Sequence, residues 1–387
     1  MIRRLVTLAR PALMAVFVAF LVHNVAMAAD TIKLGVLAEL SGVYQSFGIP
    51  VYNGIRLAVK EINDAGGVTV NGKQYQLDLL TTDEKSDLRE ASAATIDLVS
   101  DKKVKYIFGG IANLAPIVMQ ITEANKAIYF TTSSAAAAQI DKTKYMVLTV
   151  PPVATRLELS AKGIKQIFPE VKKIAMLMTQ DATADEMLEP QKRVLTSQGF
   201  EITTTEMLPS QGADPSAQLT RIRATKPDLI FVGSGTVPVN NTVRTNKEID
   251  AAPRYFSVGI GCTDVQKAGL DRPFASNTYV GANIENPVTP KAKDLAQRYK
   301  AFVGTDKLTG AYSAIWYYDF VHLLAKAFEK AGTFDDPQAV LAAMHEITYE
   351  GVSGNIHLDD KNRAVFGFDF CEVANATDKG DALHIDP

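Results

Sequence analysis

From Thr31 onward the chain alternates short apolar runs with stretches whose apolar residues recur at helical spacing. TIKLGVLAEL reads as a buried strand. VYNGIRLAVKEINDAGG then places Ile55, Ala58, Val59 and Ile62 on one helical face and stops at Gly66 and Gly67. YQLDLL, a helix over 87–100, VKYIFGG, a helix over 114–125 and AIYFTT repeat the rhythm. Short apolar strands separated by single helices predict βαβ units and a parallel sheet covered on both faces.

The rhythm breaks at LTVPPVATRLE, with Pro151 and Pro152, and then restarts. KKIAMLM, a helix through 189–198, FEITTTEML, a helix after Asp214 and Pro215, PDLIFVG, a helix over 241–250 and RYFSVG form a second series. Asp214 is the expected N-cap, with Pro215 at the first helical position. After Tyr279 helices follow one another, around 293–303, 312–330 and 337–346, the last opened by Asp336 and Pro337. A hairpin-like tail, GNIHLDDKNRAVFGFDFCEV, turns at 359–362. The pattern predicts an α/β protein of two similar lobes, each a doubly wound, mostly parallel sheet. Late elements with no rhythm of their own are expected to complete both lobes, so the chain must cross between them more than once.

Length agrees, since 387 residues exceed the usual size of one hydrophobic core. The first residues carry an address instead of a fold. Arg3, Arg4 and Arg10 precede the apolar run 12–22, and AMA at 26–28 suits cleavage near Ala28 and Ala29, giving a signal peptide over 1–28. The run is too short to span a bilayer, which takes ~20 apolar residues. With no Cys near that site, a free periplasmic protein is expected. The net charge of −3 becomes more negative once the three arginines leave, so the surface offers no basic footprint for nucleic acid. Cys262 and Cys371 are the two cysteines, too few for a disulfide framework but enough for one bridge.

Doubly wound sheets bind ligands beyond the carboxyl ends of their strands, where free N–H groups favour an anion. GGIANLAP (109–116) and TTSSAAAA (131–138) both stand at such exits. Together they offer Ala112, Asn113 and Leu114, the hydroxyls of Ser133 and Ser134, and backbone N–H groups near Asn113 and Ala135. Small alanines would let a ligand approach the main chain. The plain alternative is two capped loops. Catalytic readings fare worse. His23 lies in the leader, His322 lies within an apolar helix, and His345, His357 and His384 lack metal-ligand spacing. GSGT (233–236) lacks a phosphate loop's lysine and the spacing of a nucleophile elbow. No cofactor, metal or enzymatic activity is expected, and a secreted enzyme would need a nucleophile–base pair that the sequence does not offer.

The stretches IKLGVLAELSGVYQSFGIPVYNGIRLAVKEINDAGGV, VKYIFGGIANLAP, IYFTTSSA, KKIAMLM and YSAIWYYDFVHLLAKAF resemble the periplasmic branched-chain amino-acid-binding proteins, solute-binding components of ABC importers. The resemblance covers nearly the whole chain after the leader. It implies a type I binding-protein fold with three hinge crossings, lobe one over 29–149 and 284–351 and lobe two over 150–283 and 352–387. It further implies a monomer that delivers a small solute to an inner-membrane ABC permease; a sensor reporting to a membrane receptor would share the fold. The family's carboxylate-binding serine falls at Asn113, its next polar contacts at Ser133 and Ala135, and an aromatic of the first loop at Phe47. Ala112 stands at one position of the family's occasional early disulfide. In lobe two the capping tyrosines fall near Thr183 and Gly235. The acid that holds the ligand's ammonium should stand around Ile260, where there is none, Asp264 following a few residues later. Burying an ammonium without a carboxylate partner costs several kcal/mol. The expected ligand is therefore an amine-free carboxylic acid, aromatic acids included, with a branched-chain amino acid as the alternative.

Overall fold

The structure, a computed structural model, describes residues 30–387 except 111–113, 181, 210–212, 234–236, 260, 278–280, 286, 288 and 306–310. For 134, 135, 182, 183, 185, 186, 263, 264 and 312 it describes the backbone alone.

The first series folds as β1 (Thr31–Ala38), α1 (Gln45–Asp64), β2 (Val68–Val70), β3 (Lys73–Asp83), α2 (Leu88–Ile96), β4 (Tyr106–Gly109), α3 (Ala115–Ala124), β5 (Ile128–Thr131), the one-turn α4 (Ser134–Ala137) and β6 (Met146–Leu148). These strands make a six-stranded sheet in the order β2-β3-β1-β4-β5-β6, parallel except for β2. Leu34, Val36, Ile107, Phe108 and Phe130 are sealed because helices cover both faces. The rings of Phe108 and Phe130 stack at 4.4 Å across neighbouring strands. α1 begins earlier than its apolar pattern and carries Pro50 within it.

The second series comprises α5 (Val153–Ile167), β7 (Lys173–Thr179), α6 (Ala182–Ser197), β8 (Glu201–Leu208), α7 (Ser216–Ala224), β9 (Leu229–Val232), α8 (Val239–Ile249), β10 (Tyr255–Val258), α9 (Cys262–Lys267) and β11 (Phe274–Asn277). There follow α10 (Pro290–Val303), α11 (Ile315–Ala331), α12 (Pro337–His345), the short strands β12 (Tyr349–Gly351), β13 (Gly354–Leu358) and β14 (Ala364–Val365), then β15 (Phe368–Val373) and β16 (Asp381–Ile385). The second sheet runs β16-β15-β11-β10-β9-β7-β8, and β15 and β16 join it antiparallel. The expectation that late elements complete both units is met: α10 and α11 pack on α1, and β15 and β16 extend the second sheet.

Two local expectations separate at the helix starts. Asp336 caps α12 as read, its Oδ1 accepting from the N–H of Gln338 and Ala339 at 3.0 and 3.3 Å. Before α7 the cap position is Pro215 instead of Asp214. Asp214 sits one residue further out, and its carboxylate takes the N–H and the hydroxyl of Ser216. The tail turn is as read, with Asn362 N–H donating to the Asp359 carbonyl at 3.1 Å. The cysteines, left open by the sequence, form a Cys262–Cys371 disulfide that ties the start of α9 to β15.

The chain passes between the two sheets three times: after β6, between β11 and α10, and between β12 and β15. Thr149, Gly281 and Ser353, one from each passage, meet around Trp316 and Asp319 of α11. The buried Asp319 carboxylate accepts from the N–H of Val352 at 2.9 Å and of Ser353 at 3.0 Å. Among the described residues no helix is long and apolar enough to cross a membrane.

Candidate functional site

Strand order locates the site independently of any motif. In the first sheet β1 lies between β3 and β4, so the winding reverses at the β1/β4 boundary. In the second it reverses between β7 and β9. Ligand crevices open beyond the carboxyl ends of strands at such switch points.

At the first switch point the strands approach closely. Gly109, at φ +110°, brings β4 so near β1 that a Cβ would lie 1.9 Å from the Leu37 carbonyl, so only glycine fits. The buried Tyr129 hydroxyl lies 2.8 Å from the carbonyls of both Gly109 and Gly110 and holds the loop exit from below. Thr131 also reaches the Gly110 carbonyl, at 3.4 Å, and its hydroxyl accepts from the Ser133 N–H at 3.1 Å. Ser133 is 4% exposed and its Oγ accepts from the Ala136 N–H at 3.3 Å, so it caps α4. The run of hydroxyls is thus divided in labour: Thr131 braces the neighbouring loop and Ser133 starts a helix.

Phe47 stands at the other side of this edge, in the first turn of α1, 36% exposed and beside the exposed Val43 and Ile49. Leu114 is 1% exposed and packs in the core with Val118 and Tyr129. Its side chain therefore belongs to the interior, a use that the loop-like sequence GGIANLAP did not reveal. Ala112, Asn113, Gly235 and Ile260 lie outside the described residues, as do the side chains of Ser134, Ala135, Thr183 and Asp264.

Two acids that sequence reasoning passed over close the floor of this edge. Glu39 and Glu84 follow β1 and β3, which are paired neighbours, and both are 0% exposed. The Glu84 N–H donates to the Ala38 carbonyl at 3.1 Å, which brings the two strand exits together. Burial first, then the charge and hydrogen bond of Glu39, push the Glu84 carboxyl well above the ordinary carboxylate range. It keeps its proton at neutral pH. Asp83 beside it goes the other way: despite opposing burial, its carboxylate is held low by the N–H groups of Lys85 and Leu40 and the Ser41 hydroxyl. The only sequence signal for the pair was an acid directly closing each run, AE at 38–39 and DE at 83–84.

At the second switch point Gln191, 0% exposed, donates from Nε2 to the Gly233 carbonyl at 2.5 Å. A Cβ at Gly233 would stand 2.3 Å from the Gln191 amide oxygen, so a larger residue there would displace the Gln191 side chain. Asn277 at the end of β11 donates to Ser160 of α5 at 2.7 Å.

Two parallel-sheet units joined by three connecting passages make a two-lobed α/β fold with a switch point in each sheet. The chain belongs to the periplasmic binding protein family, whose profile matches residues 31–379. It is 24% identical over 347 residues to the leucine-, isoleucine-, valine-, threonine- and alanine-binding protein of Pseudomonas aeruginosa, covering 89% of this chain and 90% of that one. A branched-chain amino-acid ABC transporter ligand-binding protein from Burkholderia xenovorans superposes with a TM-score of 0.77 at 21% identity, covering 92% of this chain and 96% of that one. An ABC-transporter solute-binding protein from Rhodopseudomonas palustris in complex with 3,4-dihydroxybenzoic acid superposes with a TM-score of 0.70 at 22% identity, covering 92% and 98%. The proteins it matches are solute-binding proteins of ABC importers, not enzymes.

Proposed function

We propose that this chain is the periplasmic receptor of an ABC importer for an amine-free carboxylic acid, aromatic acids included. The observation that carries the reading is the sealing of Glu39 and Glu84 at an edge that also exposes the apolar side chains of Val43, Phe47 and Ile49. A sealed acid pair that retains a proton offers an ammonium no accessible counter-charge, and the apolar rim suits a hydrocarbon body. The aromatic-acid complex of the R. palustris relative agrees in chemistry. The P. aeruginosa relative supports the rival, a branched-chain amino acid. In either case the solute's polar end would meet the loops after β4 and β5, with Asn113, Ser133 and Ala135 nearest. Lobe two would close with the segments around Thr183, Gly235 and Ile260.

Calorimetry with benzoate, 3,4-dihydroxybenzoate and leucine separates the two. The acids should bind and leucine should not; leucine binding more tightly than every acid overturns the reading. Ser133→Ala should weaken the acid by about tenfold to a hundredfold through a lost bond to a charged group. It should also lower stability by about 1 kcal/mol, because the same hydroxyl caps α4. Wild-type affinity in the folded variant would remove Ser133 from the site. Export is tested by the mass of the periplasmic protein, expected to begin at Ala29 or within a residue or two; a retained Met1 would contradict it. The protein is proposed to act as a monomer that docks an inner-membrane permease, over lobes bounded as the sequence analysis expects.

A further inference from the structure

We infer that His384 and Asp369 form a proton-sensitive latch on the passages between the sheets. Charged, the pair fastens the edge of the second sheet to two of the passages; when His384 loses its proton, the two units change their relative position more freely. This inference rests on the proposed function only where it couples that movement to a solute.

The pair is built into the sheet. Asp369 of β15 and His384 of β16 are direct partners across an antiparallel ladder, so their side chains share a face. Nδ1 of His384 lies 2.8 Å from Oδ1 of Asp369. Asp369 is 4% exposed, and its Oδ2 has no hydrogen-bond partner among the described residues. Among the described side chains the imidazole alone bonds this carboxylate. With His384 neutral, the charge of Asp369 is left buried without a counter-charge, which is costly.

Both residues reach beyond their strands. The Asp369 N–H donates to the Gly281 carbonyl, on the second passage, at 2.9 Å. On the third passage the His384 ring lies against Gly354, where a Cβ would stand 3.2 Å from Nε2. The two passages also touch, since a Cβ at Gly281 would stand 2.3 Å from the Ser353 side chain. Ser353 in turn donates its N–H to Asp319 of α11, the helix that packs on α1. Direct contacts thus run from β16 through both passages to the first unit.

The groups around the ring set the direction of the response. Asp369 faces Nδ1, and Asp386, just after β16, lies 3.3 Å from Nε2. Lys291 of α10 and Glu350 of β12 pair at 2.8 Å and line, with His384 and Asp386, an open cavity of about 570 Å³. The hydrogen bond from Asp369, then the charges of Asp369 and Asp386, raise the imidazole above its ordinary value of 6.5 against the opposing effect of burial. The latch is therefore fully set below pH 6.5 and is released as pH rises through the raised value. The cavity separates the end of the chain from α10, so the two can shift without opening a packed core.

The test compares the mature wild-type protein with His384→Gln from about pH 6 to about pH 8.5, with melting curves to verify folding. Glutamine keeps a donor for Asp369 and has no proton to lose in this range. Small-angle scattering without solute should show a radius of gyration that changes with pH in wild type and stays constant in the variant. Equal responses in the two proteins, or none in either, overturn the proposal. An NMR titration should place the His384 midpoint above 6.5 in wild type and move it toward that value in Asp369→Asn; a midpoint unmoved by that substitution overturns the pairing. If neither variant folds, wild type decides: the scattering change and the His384 titration should share one midpoint, and separate midpoints sink the latch. Calorimetry with benzoate should give a wild-type affinity that varies by up to about tenfold per pH unit, the limit for one linked proton, and a flatter profile in His384→Gln. Glu84 is present in both proteins and cancels in the comparison. Benzoate binding without any scattering difference removes the latch and keeps the proposed ligand class. A scattering difference in a protein that binds no acid keeps the latch and removes that class.

Discussion

The two sheets follow one strand plan and fasten their carboxyl edges differently. In the first, the edge is held by polar groups on one another: the Tyr129 hydroxyl under the carbonyls of Gly109 and Gly110, Thr131 on Gly110, Ser133 on α4, and Glu84 on Glu39. In the second, Gln191 braces Gly233, and a covalent bond from Cys262 to Cys371 joins the loop after β10 to an added antiparallel strand. The same topology therefore responds to different chemistry in its two halves. The first edge is sensitive to protons because its acids are buried. The second is sensitive to reductant because its closure is a disulfide.

The largest effect expected from this contrast is reductive. Replacing Cys262 and Cys371 together by serine should cost about 2–5 kcal/mol, since the bridge closes a loop of 109 residues. The loss should appear in hydrogen exchange at β11 and β15 and leave β1 and β3 protected as before. Equal loss in both sheets would show that the two halves are not separately fastened.

The next test addresses the junction. Burial raises the Asp319 carboxyl, and the N–H groups of Val352 and Ser353 oppose that shift. Asp319→Asn keeps one acceptor for two buried N–H groups and should cost about 1.5–3 kcal/mol. Small-angle scattering with and without ligand should show a smaller change in compactness than in wild type, and an unchanged response would remove Asp319 from the hinge.

The smallest effect is the proton's. Glu84 is raised in the folded chain, so the native state keeps a proton that the unfolded state releases above its ordinary value of 4.5. Stability from this group is fully present below that value and falls as pH rises toward the folded value. Glu84→Gln removes this slope, so the variant should gain on wild type as pH rises, on the order of 1 kcal/mol per pH unit. Melting curves at pH 6 and pH 8 read the difference, and parallel curves would show that the pair does not titrate as described.

Much of this architecture was legible because buried parallel strands are written as short apolar runs. TIKLGVLA, YIFG, IYFT, KIAMLMT and LIFV all fall in strands. Shorter or more polar strands were not. β11 reads FASN, whose buried Ser276 and Asn277 look like loop residues until Ser160 of α5 supplies a partner for Asn277. Tertiary contact, not local pattern, makes that strand. α6 begins seven residues before the stretch read as helical, because Pro190 inside it looks like a boundary. The site was legible as two loops at strand exits, and the resemblance supplied the rest. Burial of Glu39 and Glu84 was not, since an acidic residue closing a strand is the ordinary way for a strand to reach solvent.

The disulfide also has a consequence in time. β11 lies at the open side of its sheet until β15 pairs with it, and the bond that secures that pairing joins residues 109 apart. While the chain emerges in order, the first sheet can assemble its six strands from neighbouring segments. The second must wait with an unpaired edge for a strand from far downstream. Contacts this distant in sequence form slowly, and exposed edges recruit other chains in the interval. Aggregation during production of this protein should therefore start from the second sheet, at β11, before the cysteines meet.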